Sequence, residues 1–352
     1  MSNRYFMPEE SIDHIDFEEL NRKAISPPIA THLYTADPSA HVFNNKIYIY
    51  PSHDIDAGDA FDDLGSHFAM EDYHVFSMED ISGDVIDHGM ALHVDDVKWA
   101  ERQMWAPDAN EKNGQYFLFF PAKDYNGIFR IGVAISDNPV GPFIPQDNPI
   151  KDSFSIDPAV FKDDDGSYYM YFGGIWGGQL QRWRQGVFNA SQPESPTAFL
   201  PKDNEPALLP FVAKMTDDLL QFDESPKEVE ILDENGDLLL AGDNDRRFFE
   251  AACLHKYKGK YYFSYSTGDT HFICYAIGDN PYGPFTYKGR ILNPVVGWTS
   301  HHSICEFKGK WYLFYHDSSL SKGVTHLRSV KIAEIKYNDD GTIQTLEPYG
   351  RN

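Results

Sequence analysis

At 352 residues, 41% hydrophobic and 15% aromatic, the chain has ample material for a packed core and is not disordered. Its formal charge of −24, from 54 acidic against 30 basic residues, excludes nucleic acid and anionic membrane as natural partners and favours a neutral or cationic ligand. No stretch approaches the roughly 18 consecutive apolar residues of a membrane span, so a soluble protein is expected.

Residues 1–30 begin "MSNRYFMPEESIDHIDFEEL", which is acidic and lacks the apolar core of a signal peptide. They read as an N-terminal extension, and the protein as cytoplasmic unless a leader has been removed. The three cysteines, Cys253, Cys274 and Cys305, are odd in number and have no metal-type spacing, which fits free thiols in a reducing compartment.

From residue 31 onward five segments share one grammar: a polar lead-in, a short apolar strand, a tight turn and an aromatic strand. They are "DPSAHVFNNKIYIYPS" from Asp37, "APDANEKNGQYFLFFP" from Ala106, "DPAVFKDDDGSYYMYFG" from Asp157, "EAACLHKYKGKYYFSYS" from Glu250 and "HHSICEFKGKWYLFYH" from His301. Their turns, Asn44-Asn45, Asn113-Gly114, Asp165-Gly166, Lys258-Gly259 and Lys308-Gly309, contain residues that suit positive φ in tight hairpins. Aligned on the turns, Ile47, Tyr116, Tyr168, Tyr261 and Trp311 share one column, and Tyr48, Phe117, Tyr169, Tyr262 and Tyr312 the next. "RIGVAISDNPVGPF" (130–143) and "FICYAIGDNPYGPF" (272–285) are near copies, expected to be third strands and outer turns of two units.

A repeated four-stranded sheet predicts an all-β five-bladed propeller with an axial pocket. Residues 31–352 form one such domain on this reading, with insertions at 52–68 and 185–247. In a propeller the starts of the innermost strands ring the axis. That ring would draw on Asp37, the Asp108 region, Asp157, Glu250 and His301. Charges so placed are costly as core and make sense as a site for polar chemistry.

These same segments resemble glycoside hydrolase family 43, five-bladed propeller enzymes that remove xylose or arabinose from plant cell-wall polysaccharides and their oligosaccharides. The resemblance runs from about Thr35 to Tyr349. It implies a general base at Asp37 ("ADPSAHVF"), an acid-tuning carboxylate at Asp157 ("SIDPAVF") and the general acid at Glu250 ("FFEAACLHKYKGKYY"). It further implies a sugar subsite lined by Trp105 and Ala106 ("MWAPDA"), and a glycone contact from Arg328 ("LRSVKIAEIKY"). Asp54, leaving the first blade in "SHD", is a further candidate for touching substrate.

An axial His in some members helps to hold a divalent ion, usually Ca²⁺, largely through waters, which the resemblance implies for His301. A hydrogen-bonded histidine without an ion is the other reading, because one imidazole is a poor ligand set for hard Ca²⁺. The acidic loop "DIDAGDAFDDLG" lacks EF-hand spacing and reads as a solvated pocket rim. No organic cofactor is expected.

The expected function is that of an inverting exo-acting β-xylosidase, α-L-arabinofuranosidase, or both, on xylo- or arabino-oligosaccharides. An endo-arabinanase and a non-catalytic sugar-binding propeller are the alternatives. Nothing in the sequence fixes the oligomeric state.

Overall fold

The computed structural model describes residues 12–350 and forms five sheets in chain order. Blade one is β1 (Tyr34–Phe43), β2 (Lys46–Asp54), β3 (Asp72–Met78) and β4 (Ile86–His93). Blade two is β5 (Ala100–Arg102), β6 (Asp108–Lys112), β7 (Gln115–Asp124), β8 (Phe129–Ser136) and β9 (Ile144–Pro145). Blade three is β10 (Ala159–Lys162), β11 (Tyr168–Phe172), β12 (Phe211–Lys214) and β13 (Lys227–Glu228). Blade four joins β14 (Ile231–Leu232), at its outer edge, to β15 (Glu250–Tyr257), β16 (Lys260–Ser266), β17 (Ile273–Gly278) and β18 (Phe285–Leu292). Blade five is β19 (His302–Phe307), β20 (Lys310–Asp317) and β21 (Ser329–Ile335). The inner strands β1, β6, β10, β15 and β19 touch their neighbours in a closed ring, which makes the propeller.

The two aromatic columns explain how the blades pack. Successive strand residues point to opposite sheet faces, so each second strand serves both neighbouring blades. Ile47, Tyr116, Tyr168, Tyr261 and Trp311 each pack against the preceding blade around the ring. Tyr48, Phe117, Tyr169, Tyr262 and Tyr312 each pack against the following one. The core is therefore five inter-blade layers, not one centre. Their register is set by the hairpins: Asn44-Asn45, Asn113-Gly114, Lys258-Gly259 and Lys308-Gly309 have both residues at positive φ, the backbone that two-residue hairpins demand. The third blade uses a longer turn, from Asp163 to Ser167, with Gly166 at φ 82.

Two expectations need correction. The fifth blade has three strands, and the N-terminal segment follows the outer edge of β21. There Ile29 N donates to the Val330 carbonyl at 2.9 Å and Ile332 N to Ser26 Oγ at 3.0 Å, and where the segment enters β1 Thr35 N donates to the Arg328 carbonyl just ahead of β21 at 2.9 Å. Nor is 185–247 wholly an insertion, since β12 and β13 are the outer strands of blade three and β14 extends blade four. Among the described residues one α-helix occurs, Phe17–Lys23, capped by the Asp16 carboxylate, and no helix is long and apolar enough to cross a membrane. All three cysteines are free.

Candidate active site

At one end of the axis lies a cavity of about 700 Å³ lined by Asp37, Asp157, Glu250, His301 and Arg328 together with Trp105 and Ala106. The backbone turns sharply where the carboxylates enter it. Asp37 (φ 49), Asp157 (φ 58) and Ala251 (φ 62) occupy the left-handed region, which is costly for a residue with a Cβ. The β1–β2 register breaks between Ala36 and Ser39, and the β15–β16 register between Glu250 and Cys253. Such bulges re-aim side chains. Glu250 thus stands at the axis, ahead of the bulge, and the buried aromatic strand follows it.

Asp37 is almost fully buried and tightly partnered. Ser52 Oγ donates to Oδ2 at 2.7 Å, while Arg328 Nη1 reaches Oδ1 at 3.1 Å and Nη2 reaches Oδ2 at 3.3 Å. The Asp37 N–H donates to His316 Nδ1 at 2.9 Å, so the His316 proton lies on Nε2, which donates to the Thr299 carbonyl at 2.6 Å. Burial works most strongly against charge on Asp37, but Arg328, His316, His301 and the Ser52 hydrogen bond together outweigh it and hold the carboxyl down at about 2. The neighbouring imidazoles are neutral: burial pushes His316 to about 3 and His301 to about 4.

Glu250 has the opposite environment. Its Oε1 is buried without a hydrogen-bond partner. Burial first, then the negative charges of Asp157 and Asp37, push its pKa well above the ordinary carboxyl range. Asp157 is raised as well, by burial and by Asp37, but it accepts a 2.8 Å hydrogen bond from the Ala251 N–H. Of this pair Asp157 has the better support for charge, so the proton belongs on Glu250. His301 Nδ1 lies 3.9 Å from Asp37 and 3.8 Å from Asp157.

Asp54 does not line the cavity. It lies behind Arg328, accepting from Nε and the Arg328 backbone N–H at 2.8 Å and from Nη2 at 2.7 Å, so both oxygens are committed and the expected substrate contact is corrected. Asp108 is turned away too. It borders the opposite end of the axial channel, where Ser39, the Val160 N–H and His41 bind its carboxylate.

The side chains around His301 supply few direct ligands for Ca²⁺. Among the described residues His301 belongs to no group of three ligating side chains, and the Asp108 oxygens that face the channel are already bonded. A hard cation wants six to eight oxygens, so an ion on the axis would depend on water for nearly all its ligands.

Several lining residues carried no sequence signal. Trp176, Phe249 and Trp298 form an aromatic wall with ring centroids 5.4 to 6.1 Å apart. His67 is buried with both ring nitrogens unpartnered, 5.8 Å from His326, whose Nε2 is also unpartnered. Phe61, His67 and Phe68 come from the segment after Asp54 and form part of the pocket rim, which Ile12 reaches from the N-terminal segment. The expected 52–68 insertion starts too early, because Ser52, His53 and Asp54 still belong to β2. Trp105 is fixed by its indole N–H to the Phe68 carbonyl at 2.8 Å. It stands in the break between β5 and β6, which pair with the same edge of β7.

The sequence profile of Glycosyl hydrolases family 43 matches residues 25–195. A "Xylosidase/arabinosidase" of Bacteroides ovatus is 59% identical over 315 residues, 89% of this chain and 95% of the relative. "Xylosidase/arabinosidase 43A" of Humicola insolens is 60% identical over 328 residues, 91% of this chain and 99% of the relative. The chain belongs to glycosyl hydrolase family 43. Family 43 structures superpose closely. A β-xylosidase/α-arabinofuranosidase from a compost microbial metagenome, crystallised with xylotriose in a calcium-free form, gives a TM-score of 0.90 at 65% identity, covering 92% of this chain and 98% of that one. A Xanthomonas citri enzyme complexed with xylotriose gives 0.88 at 55% identity, covering 95% and 96%. As a member of family 43 the protein is a glycoside hydrolase.

Proposed function

We propose that the enzyme releases single xylose or arabinose units from the ends of plant cell-wall oligosaccharides, with inversion at the anomeric carbon. The observation that carries this reading is the opposed surroundings of two carboxyls on one buried pocket. Asp37 is hydrogen-bonded by Ser52 and Arg328, which favours its ionised form, whereas Glu250 has a buried, unpartnered oxygen and negative neighbours, which favour its protonated form. Hydrolysing an acetal with inversion needs this pair, an acid on the leaving oxygen and a base on a water across the ring, about 6.5–9.5 Å apart.

In this mechanism the sugar stacks against the wall of Trp176, Phe249 and Trp298, and its hydroxyls satisfy the unpartnered nitrogens of His67 and His326. Glu250 gives its proton to the leaving oxygen. Asp37, fixed by Arg328 and Ser52, takes a proton from the attacking water as positive charge grows at the anomeric carbon. Asp157 raises the pKa of Glu250 and restores its proton preference after each turnover. His301, neutral, separates Asp37 from Asp157. No step is assigned to a cation.

The relatives named xylosidase/arabinosidase and the related structures holding xylotriose support the pentose assignment. Loops from all five blades line the cavity, and a walled pocket takes a chain end. Product analysis tests this. Xylotriose should yield xylose from the first turnovers, and aryl β-xylosides and aryl α-L-arabinofuranosides should both be cleaved. A longer xylan or arabinan chain cut internally at early times would overturn exo action.

A further inference from the structure

A second polar cluster lies on blade one, away from the pocket. The β2–β3 register pairs Ser52 with Tyr73, which sets His53 opposite Asp72. Strand alternation then puts His74 on the same face as Asp72. The three residues offer ligand atoms all within 4.8 Å of one another. His53 Nδ1 lies 2.6 Å from Asp72 Oδ1, and the two imidazole rings are 4.9 Å apart. Behind them Asp87 accepts from the Gly89 N–H at 2.7 Å, meets His74 Nδ1 at 3.2 Å through Oδ1 and His32 Nε2 at 2.7 Å through Oδ2. The three ligand side chains are 15 to 22% exposed, open enough for an ion to enter and keep water.

We propose that His53, Asp72 and His74 form a binding site for a borderline transition-metal ion, Zn²⁺ in the first instance, distinct from the sugar pocket. Two imidazoles and one carboxylate with an open fourth position are a ligand set for Zn²⁺, and too poor in oxygen for Ca²⁺ or Mg²⁺. With Nδ1 of His74 held by Asp87, Nε2 is left for the metal. This is the carboxylate–histidine–metal relay that fixes a ligand's tautomer and orientation. The ion takes the place of the proton between His53 and Asp72 and clips β2 to β3. Asp54, the next residue on β2, faces the other way to Arg328, so the clip leaves the chemistry of the pocket untouched.

The test is titration of the untagged, metal-stripped protein with Zn²⁺ by calorimetry, and with Co²⁺ by absorption spectroscopy. Expected are one equivalent of Zn²⁺ bound with a Kd of micromolar order or tighter and intense Co²⁺ bands of low coordination number. Asp87→Asn should weaken binding by about 10–100-fold, and His53→Ala/His74→Ala should abolish it. His301→Ala should bind as the parent does. The Asp87 and His53/His74 variants should keep their metal-free hydrolytic rate, which verifies that they fold. Absence of binding up to ~100 μM Zn²⁺, weak octahedral Co²⁺ bands, or Zn²⁺ affinity lost with His301 but retained in the double variant would each overturn the site. The Co²⁺ spectrum is read on the parent protein, so a variant that fails to fold does not remove the test.

Discussion

Asp54 grips Arg328 through three hydrogen bonds, and only then does Arg328 face Asp37. All three groups are buried, so the arginine is neither a free cation nor a simple substrate contact. It sets the charge of the base, and Asp54 sets the arginine.

Asp54→Ala should therefore harm both stability and rate, although Asp54 does not line the pocket. Removing one partner of a buried ion pair costs about 3–5 kcal/mol, readable as a lower midpoint in urea. A slightly displaced Arg328 and Asp37 should lower kcat by up to about 10²-fold, with KM changed far less. A variant with unchanged kcat would mean that Asp37 keeps its place without this support.

Glu250 and Asp37 should differ in how they respond to the leaving group. Glu250→Ala should lose about 10²–10⁴-fold on xylobiose, whose leaving oxygen needs a proton, and much less on an activated aryl xyloside. Asp37→Ala should be equally poor on both. Equal losses for Glu250→Ala on the two substrates would remove it as the acid.

The raised pKa of Glu250 has a stability signature with a definite sign. A carboxyl whose folded pKa lies above its ordinary value of 4.5 holds its proton more tightly when folded, so stability falls as pH rises from 4.5 through the folded pKa. Glu250→Gln cannot lose that proton. Its Tm should match the parent's near pH 4.5 and exceed it increasingly as pH rises towards the raised folded pKa. The Asp37 contribution runs the other way, present above about pH 4 and lost only as pH falls towards 2. A Tm difference independent of pH would contradict the protonated state of Glu250.

The pH–rate profile follows from the same two groups. With Asp37 ionised down to about 2, the acid limb should not reflect this base at ordinary pH. The alkaline limb of kcat/KM should report loss of the proton held by Glu250 and Asp157, and should disappear in Glu250→Ala assayed with an activated aryl xyloside.

Much of this was legible in the sequence because the repeat is physical. Each aromatic column has one packing direction, so the hairpin alignment located the blades and, with them, Asp37, Asp157, Glu250 and His301 at the axis. What stayed hidden lies outside the repeat. Trp176, Trp298, His67 and His326 come from loops with no equivalent in other blades, where no register places them. β13 and β14 are two residues each, too short to show alternation. Asp54 was misread because "SHD" shows that an acid leaves β2 near the pocket, but not that Arg328, 274 positions away, takes both its oxygens.

The central claim is that Asp37 activates water and does not attack sugar. The most direct measurement is proton NMR of the anomeric signals during the first turnovers of an aryl β-xyloside, before mutarotation. α-Xylose should appear first, with β-xylose growing only at the rate of mutarotation. β-Xylose as the first product would make Asp37 a nucleophile and contradict the mechanism.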